Sequence, residues 1–354
     1  MIRAGVRFLS RFLAYSRGAG APLWCSFAIT ENCNCRCEYC DFWWEKKPDL
    51  SFEEVALAVR RLAEGGVYYL SFAGGEPLLR KDMPEIVKLT TDLGMRASLT
   101  TNGTVGGLSL YEEIMRCKLS AVTFSLDGST EEIHESFRKA CSFRRVIRSI
   151  RHALEARAAG GFPTLVSIVT VVHKRNHQDI ETIWRLGREI GVDKHYFQPI
   201  WTVYEDTEFM NRFGFSENDG PLLEEIRQRL RGLKNSNLTQ YFDLFPSFYG
   251  DYSAVMNNAC YAGRAFIHVD GRGNVSPCSM IGSPLGNLMD NGLRDILSTP
   301  ASRKIFEACS KYRCPRCSLM CYIERNQIIE SVRNPIRCLR IFWSRLAYNR
   351  EKRI

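Results

Sequence analysis

Between residues 23 and 200, short runs rich in β-branched and aromatic residues alternate with longer stretches of helical period. The strand-like runs fall at 23–30, 67–73, 96–101, 121–127, 164–172 and 194–200, each bounded by Gly, Asn or Asp, the signature of short buried strands. Helical patterns occupy 51–63, 81–93, 108–117, 142–158 and 177–190. The first opens on Ser51 followed by Glu53 and Glu54, a cap and two acids suited to the positive end of a helix. Alternation on this scale predicts right-handed crossovers and a parallel sheet. Six units are too few for a full eight-stranded barrel. The expected fold is α/β, either a partial (β/α)6 TIM-like barrel or an open sheet, with its chemistry at the C-terminal ends of the strands.

Residues 201–258 show no clear strand and mix Phe209, Phe213, Phe215, Tyr241, Phe242, Phe245, Phe248 and Tyr249 with polar positions. They predict a connecting segment with one helix over 221–233. From Cys260 a compact module begins, with a strand-like run at 265–269, a glycine turn at 271–273 and a second run at 275–278. The predicted division is therefore an N-terminal helix over 1–22, the barrel over 23–204, the connecting segment over 205–258, a small C-terminal cysteine-rich domain over 259–338 and a tail over 339–354.

The 354 residues include no run of eighteen apolar positions, so no spanning helix is expected. The net charge of +9 is concentrated at the ends. Residues 1–24 carry +4 through Arg3, Arg7, Arg11 and Arg17, residues 333–354 carry +6, and the body between them is left at −1. A nucleic-acid groove draws on a basic folded body, so nucleic acid is not an expected partner. At the N-terminus Ile2, Val6, Leu9 and Leu13 recur at helical spacing beside Arg3, Arg7 and Arg11. The tail sets Leu339, Ile341, Phe342, Trp343, Leu346 and Tyr348 among arginines. Both read as basic amphipathic helices that either lie on an anionic membrane surface or pack on the body. With no small-residue cleavage site after an apolar core, a cytoplasmic location is expected, peripheral at the membrane if those helices bind it.

Fourteen cysteines in such a chain point to metal or redox chemistry rather than disulfides. Cys33, Cys37 and Cys40 form C-x3-C-x2-C directly after the first strand-like run. Three thiolates this close can converge on one soft metal centre. A cubane held by three rather than four cysteines keeps one iron open, and zinc on three protein ligands keeps an open position too. Cys35, at an intervening position, is expected to lie outside the ligand set.

The segment Thr30-Glu31-Asn32-Cys33-Asn34-Cys35-Arg36-Cys37-Glu38-Tyr39-Cys40 resembles the signature of the radical S-adenosylmethionine (radical SAM) enzymes. The resemblance implies that Cys33, Cys37 and Cys40 hold a 4Fe–4S cluster whose fourth iron is chelated by the amino and carboxylate groups of SAM. It implies that Tyr39 packs near the adenine, and that one electron cleaves SAM to methionine and a 5′-deoxyadenosyl radical that abstracts a substrate hydrogen. Gly74-Gly75-Glu76-Pro77 resembles the family's GGEP motif at the SAM amino group. There two glycines admit a ligand close to the backbone and Glu76 offers an acceptor. Asn102 in Thr101-Asn102-Gly103 falls where the family places a polar edge near SAM. Ser125-Leu126-Asp127-Gly128, with His134 and Arg138 downstream, resembles its fourth-strand segment. On that likeness Ser125 and Arg138 are candidates for the ribose hydroxyls and the SAM carboxylate, which suits a guanidinium fork, and Asp127 joins the cofactor-binding set. Asn176, after the fifth strand, is a further candidate.

Cys260, Gly273-x4-Cys278, Cys309-x4-Cys314-x2-Cys317-x3-Cys321 and Cys338 resemble the auxiliary-cluster domain called SPASM. That family pattern has C-x2-C-x5-C-x3-C, whereas here Cys317 would serve both C-x2-C and C-x3-C. One auxiliary 4Fe–4S cluster is expected, and two if Cys309 replaces the missing ligand. A zinc ribbon is the alternative occupant.

The expected function is that of a radical SAM iron–sulfur enzyme abstracting hydrogen from an unreactive C–H bond of a peptide, or of a lipid or isoprenoid at a membrane surface. An electron donor such as a flavodoxin or ferredoxin is the expected partner. A non-catalytic zinc or iron–sulfur scaffold is the alternative class. No histidine is nominated for acid–base work. His134, His152, His173, His177, His195 and His268 are scattered, as structural or exposed residues are.

Overall fold

The structure is a computed structural model that describes residues 21–40, 48–200 and 207–333. Residues 1–20 of the expected N-terminal helix, Cys338 and the whole tail over 339–354 lie outside the described residues. The strands are β1 (Trp24–Thr30), β2 (Arg36–Cys37), β3 (Tyr69–Gly74), β4 (Arg96–Thr101), β5 (Ala121–Ser125), β6 (Arg138–Lys139), β7 (Leu165–Val172), β8 (Lys194–Pro199), β9 (Phe266–Val269), β10 (Asn274–Ser276) and β11 (Gly286–Asn287). The helices between β2 and β8 are α1 (Phe52–Glu64), α2 (Met83–Asp92), α3 (Leu108–Arg116), α4 (Glu131–Phe137), α5 (Phe143–Gly160) and α6 (Ile180–Ile190). After β8 come α7 (Thr207–Phe213), α8 (Gly220–Arg231), α9 (Thr239–Phe242) and α10 (Ser253–Met256), and after β11 come α11 (Leu293–Ser298), α12 (Pro300–Ser310) and α13 (Met320–Arg333).

Strands β1, β3, β4, β5, β7 and β8 pair in that order and all in parallel, the six-strand run the alternation predicts. β1 and β7 read almost continuously apolar, as strands covered on both faces do. Ser51 caps α1 with a reciprocal box, its hydroxyl accepting from the Glu54 amide while the Glu54 carboxylate accepts from the Ser51 amide. The run does not close on itself. β8 ends the sheet, its outer edge taken by the segment after α8, where the His195 amide donates to the Asn235 carbonyl and the Phe197 amide to Asn237 Oδ1.

Two features exceed the sequence reading. The C-terminal strands extend the same sheet: β9 pairs in parallel with the free edge of β1, Trp24 opposite Phe266 through Phe27 opposite Val269, and β10 and β11 follow antiparallel. The cysteine-rich module is thus built onto the barrel's first strand. The connecting segment is also more helical than the single expected helix. Its Phe215, Tyr241, Phe242, Phe245 and Phe248 are buried in one core with Phe27, Phe72 and Phe124 of the sheet.

Burial holds His134, His173 and His195 down at about 3 and His268 at about 4. Each stays neutral in the fold while its unfolded counterpart takes a proton below about 6.5. Their stabilisation is therefore complete above that pH and is lost as pH falls toward 3. At pH 5 the loss is about 2 kcal/mol for each histidine. The melting temperature is expected to drop steadily from pH 7 to pH 5, and less steeply in His195→Gln. A flat profile would contradict the neutral burial.

Candidate active site at the strand ends

The loop after β1 carries the first three cysteines at the C-terminal end of the sheet. Thr30 Oγ1 and Asn32 Nδ2 both donate to Asp49 Oδ1, at 2.7 and 3.0 Å, and the Asn32 amide donates to Thr30 Oγ1. The end of β3 then closes on the loop, the Gly75 amide donating to the Thr30 carbonyl and the Glu76 amide to the Asn32 carbonyl, each at 2.8 Å. Only glycine fits here. Gly74 has φ +110°, and a Cβ on Gly75 would stand 2.0 Å from the Asn32 carbonyl oxygen.

Glu76 is fully buried. Its Oε1 accepts from the Leu78 amide at 2.9 Å and Thr101 Oγ1 at 2.8 Å, and its Oε2 accepts from the Asn102 amide at 2.6 Å. Burial raises its pKa and these donors work against the rise. The carboxylate thus straps the ends of β3 and β4 together, with Pro77 buried in the turn behind it. Asn102 in turn faces the loop, its Nδ2 donating to Asn34 Oδ1 at 2.9 Å and to Cys33 Sγ at 3.8 Å.

Arg138, the candidate for the SAM carboxylate, is an arginine at the end of a helical turn that is nevertheless not solvated. It is buried at the end of α4. The ladder between β2 and β6 sets Cys37 opposite Arg138. Its Nε donates to Asp127 Oδ2, its Nη1 lies 3.8 Å from Cys37 Sγ, and its guanidinium sits over the Tyr39 ring. Burial opposes the charge, but Asp127, Tyr39 and Cys37 outweigh it and the pKa rises. Asp127 Oδ1 accepts from the Val171 amide at 2.7 Å, so both carboxylate oxygens are held. Asn176 Nδ2 bridges the Asp127 and Val171 carbonyls at 2.9 and 2.8 Å. Ser125 is buried at the end of β5. Behind the loop, Tyr39 stacks on Phe137 at 4.8 Å and Phe137 on His173 at 3.9 Å.

Cys33, Cys37 and Cys40 pack together with Cys35 and Cys141. Cys35 and Cys141 form a disulfide, the correction the structure makes to the expectation that the cysteines avoid disulfides. The bond removes both sulfurs from any ligand set. The donors left are three thiols, with burial holding those of Cys33 and Cys37 above their ordinary value. That donor set suits a cubane with one open iron.

The second cysteine group surrounds a small pocket lined by Cys260, Cys278, Cys309, Cys314 and Cys317. Cys278 follows β10, Cys309 lies at the end of α12, and Cys321 is the second residue of α13, half-buried beside Arg325. Burial pushes the Cys260 and Cys278 thiols up to about 11 and about 12. Cys309 shares a hydrogen bond with Cys314 that lowers the pKa of the latter. Thiolates so disfavoured by an apolar wall are stabilised by an iron cluster's charge. Among the described residues no three His, Cys, Asp or Glu side chains gather to hold a single metal ion.

Residues 27–186 match the family model of the radical SAM superfamily, and residues 260–322 match that of an iron–sulfur cluster-binding domain, SPASM. An AdoMet-dependent heme synthase of Methanosarcina barkeri is 27% identical over 294 residues, 78% of this chain and 82% of the relative. A PqqA peptide cyclase of Xanthomonas campestris pv. campestris is 26% identical over 288 residues, 78% of this chain and 73% of the relative. Among solved structures, native anSMEcpe with bound AdoMet superposes with a TM-score of 0.64 at 18% identity, covering 81% of this chain and 84% of that one. Streptococcus suis SuiB bound to precursor peptide SuiA gives 0.64 at 17% identity, covering 80% and 66%. At these identities the two structures share the fold.

Proposed function

This chain belongs to the radical SAM superfamily and carries a C-terminal SPASM domain, and on that ground we propose that it modifies a peptide by hydrogen abstraction at the strand-end site. It is an enzyme that binds SAM and a 4Fe–4S cluster in its first domain and auxiliary iron–sulfur in its second. The bound cluster supplies one electron that cleaves SAM to methionine and a 5′-deoxyadenosyl radical. Cys33, Cys37 and Cys40 are the residues that hold it.

The observation that carries the reading is the three-thiol loop strapped by Gly75 and Glu76, with Cys35 tied off by Cys141. Around it this chain's residues bind and orient. Glu76 has lone-pair capacity beyond its three donors for an ammonium, and Arg138 has N–H donors beyond Asp127 for a carboxylate. Ser125, Asp127 and Asn102 line the same strand ends, and the Tyr39 and Phe137 rings cover the loop and exclude water from it. Cys260, Cys278, Cys309, Cys314, Cys317 and Cys321 hold the auxiliary cluster or clusters. A peptide substrate is supported by the relatives named as PqqA peptide cyclases. The electron comes from a carrier protein of the flavodoxin or ferredoxin class.

Anaerobically reconstituted protein with dithionite and SAM is expected to release 5′-deoxyadenosine. A short precursor peptide encoded beside it is expected to accelerate that release and to change in mass. Absence of 5′-deoxyadenosine overturns the enzymatic reading. Acceleration by an iron porphyrin or by lipid vesicles, with none by peptide, overturns the peptide assignment.

A further inference from the structure

Helix α5 begins two residues after Cys141, whose sulfur is bonded to Cys35 inside the cluster loop. The Cys141 amide also donates to the Arg138 carbonyl, so the start of the helix is pinned against that loop. Its inner face buries Val146, Ser149, Ile150, Ala153 and Ala156. Its outer face is a row of arginines, Arg144, Arg145, Arg148 and Arg151, all exposed. Glu131 takes Arg144. Among the described residues Arg145, Arg148 and Arg151 have no carboxylate partner.

This row is a poor choice for the helix itself. The first turn has no acidic residue of its own and Ser142 makes no side-chain cap, so the Phe143 amide donates instead to Glu135 Oε1 at 2.9 Å, while Arg144 and Arg145 set positive charge against the positive helix end. Arg144 and Arg148 are a like-charged i,i+4 pair, which costs a few tenths of a kcal/mol in an isolated helix. The same sign recurs beside it. In the short ladder of the cluster loop, Arg36 lies opposite Lys139, both exposed, and like charges directly opposed destabilise a sheet pair. Glu38 takes Lys139. Three local rules are broken at one place, next to the loop where an electron must enter. Such local conflict marks function rather than folding.

We propose that the arginine face of α5, continued by Arg36 and Lys139 on the outer rim of the cluster loop, is the docking surface for an acidic electron-carrier protein. The inference rests on the radical SAM reading. Arg148 lies only about 7.5 Å along the helix axis from its start at Phe143, so a carrier seated here brings its own redox group toward Cys33, Cys37 and Cys40. The carrier, a reduced flavin or iron–sulfur protein, loses one electron and the cluster gains it. Exposed arginines complement an acidic surface, and such pairing acts chiefly on the rate of encounter.

The experiment compares two reductants on the reconstituted full chain. Arg145→Glu/Arg148→Glu is expected to cleave SAM with dithionite within twofold of the unsubstituted protein. With purified flavodoxin kept reduced by its NADPH-dependent reductase, its rate is expected to fall about ten- to a hundredfold at low ionic strength. Added salt is expected to slow the flavodoxin-driven rate of the unsubstituted protein and to leave that of the variant nearly unchanged. Equal flavodoxin-driven rates in the two proteins overturn the docking surface, as does an equal loss with both reductants. Binding of anionic vesicles that the substitutions abolish, with the flavodoxin-driven rate intact, assigns the row to a membrane and overturns it too. No cleavage with dithionite by the unsubstituted protein is a different failure, that of the radical SAM reading.

Discussion

Alanine at Cys33, Cys37 or Cys40 is expected to abolish 5′-deoxyadenosine release from reconstituted protein, with iron content at the first site lost in parallel. Among the described residues three thiols are the local donor set, because the neighbouring Cys35 and Cys141 are bonded to each other. Among the described residues no substitute thiol stands ready when one is removed. Cys35→Ser is the contrasting variant. It breaks the link between the loop and the segment behind β6 but removes no ligand, so cluster content is expected to be retained and cleavage to fall at most a few-fold. Iron and sulfide quantification beside product release checks both. Retained cleavage in any of the three alanine variants would falsify the ligand assignment.

The second large effect concerns stability. Arg138→Leu is expected to cost about 3–5 kcal/mol, because it leaves the Asp127 carboxylate buried without its cation. Asp127 would keep the Val171 amide, which does not replace a charge. Asp127→Asn/Arg138→Leu is expected to recover much of that loss, since removing both charges from a buried pair is far milder than removing one. The double variant still lacks the guanidinium beside Cys37 and over Tyr39. It is therefore expected to bind SAM poorly in a direct titration while melting close to the unsubstituted protein. Denaturant unfolding under anaerobic conditions separates the two effects. If the single and double variants unfold alike, the pair is not the source of the strain.

Much of the site was legible in order along the chain. The cysteine triple, the two glycines before Glu76, the Asn102 turn and the Asp127 segment each follow a strand-like run, and the structure sets them all at the C-terminal ends of β1, β3, β4 and β5. The strand and helix positions were equally open to reading, because period and capping are local properties and α1 shows both. The burial of Arg138 was not. It depends on a two-residue ladder joining positions 101 residues apart, and nothing near Arg138 in the chain distinguishes it from a solvated arginine.

The same contrast governs the rest of the molecule. Residue spacing alone was enough to name three thiols, a parallel α/β sheet and a second cysteine module, since each is written in neighbours a few residues apart. Which sulfurs remain free was settled by a bond spanning 106 residues. Glu76 is a strap between strands as well as a candidate acceptor because three donors from two elements converge on it. The cysteine module extends the barrel sheet because β1 left an edge unpaired on its far side for β9 to occupy. Pairings of this kind are decided by burial and hydrogen-bond satisfaction among distant segments, and a one-dimensional pattern carries no record of which segments will meet.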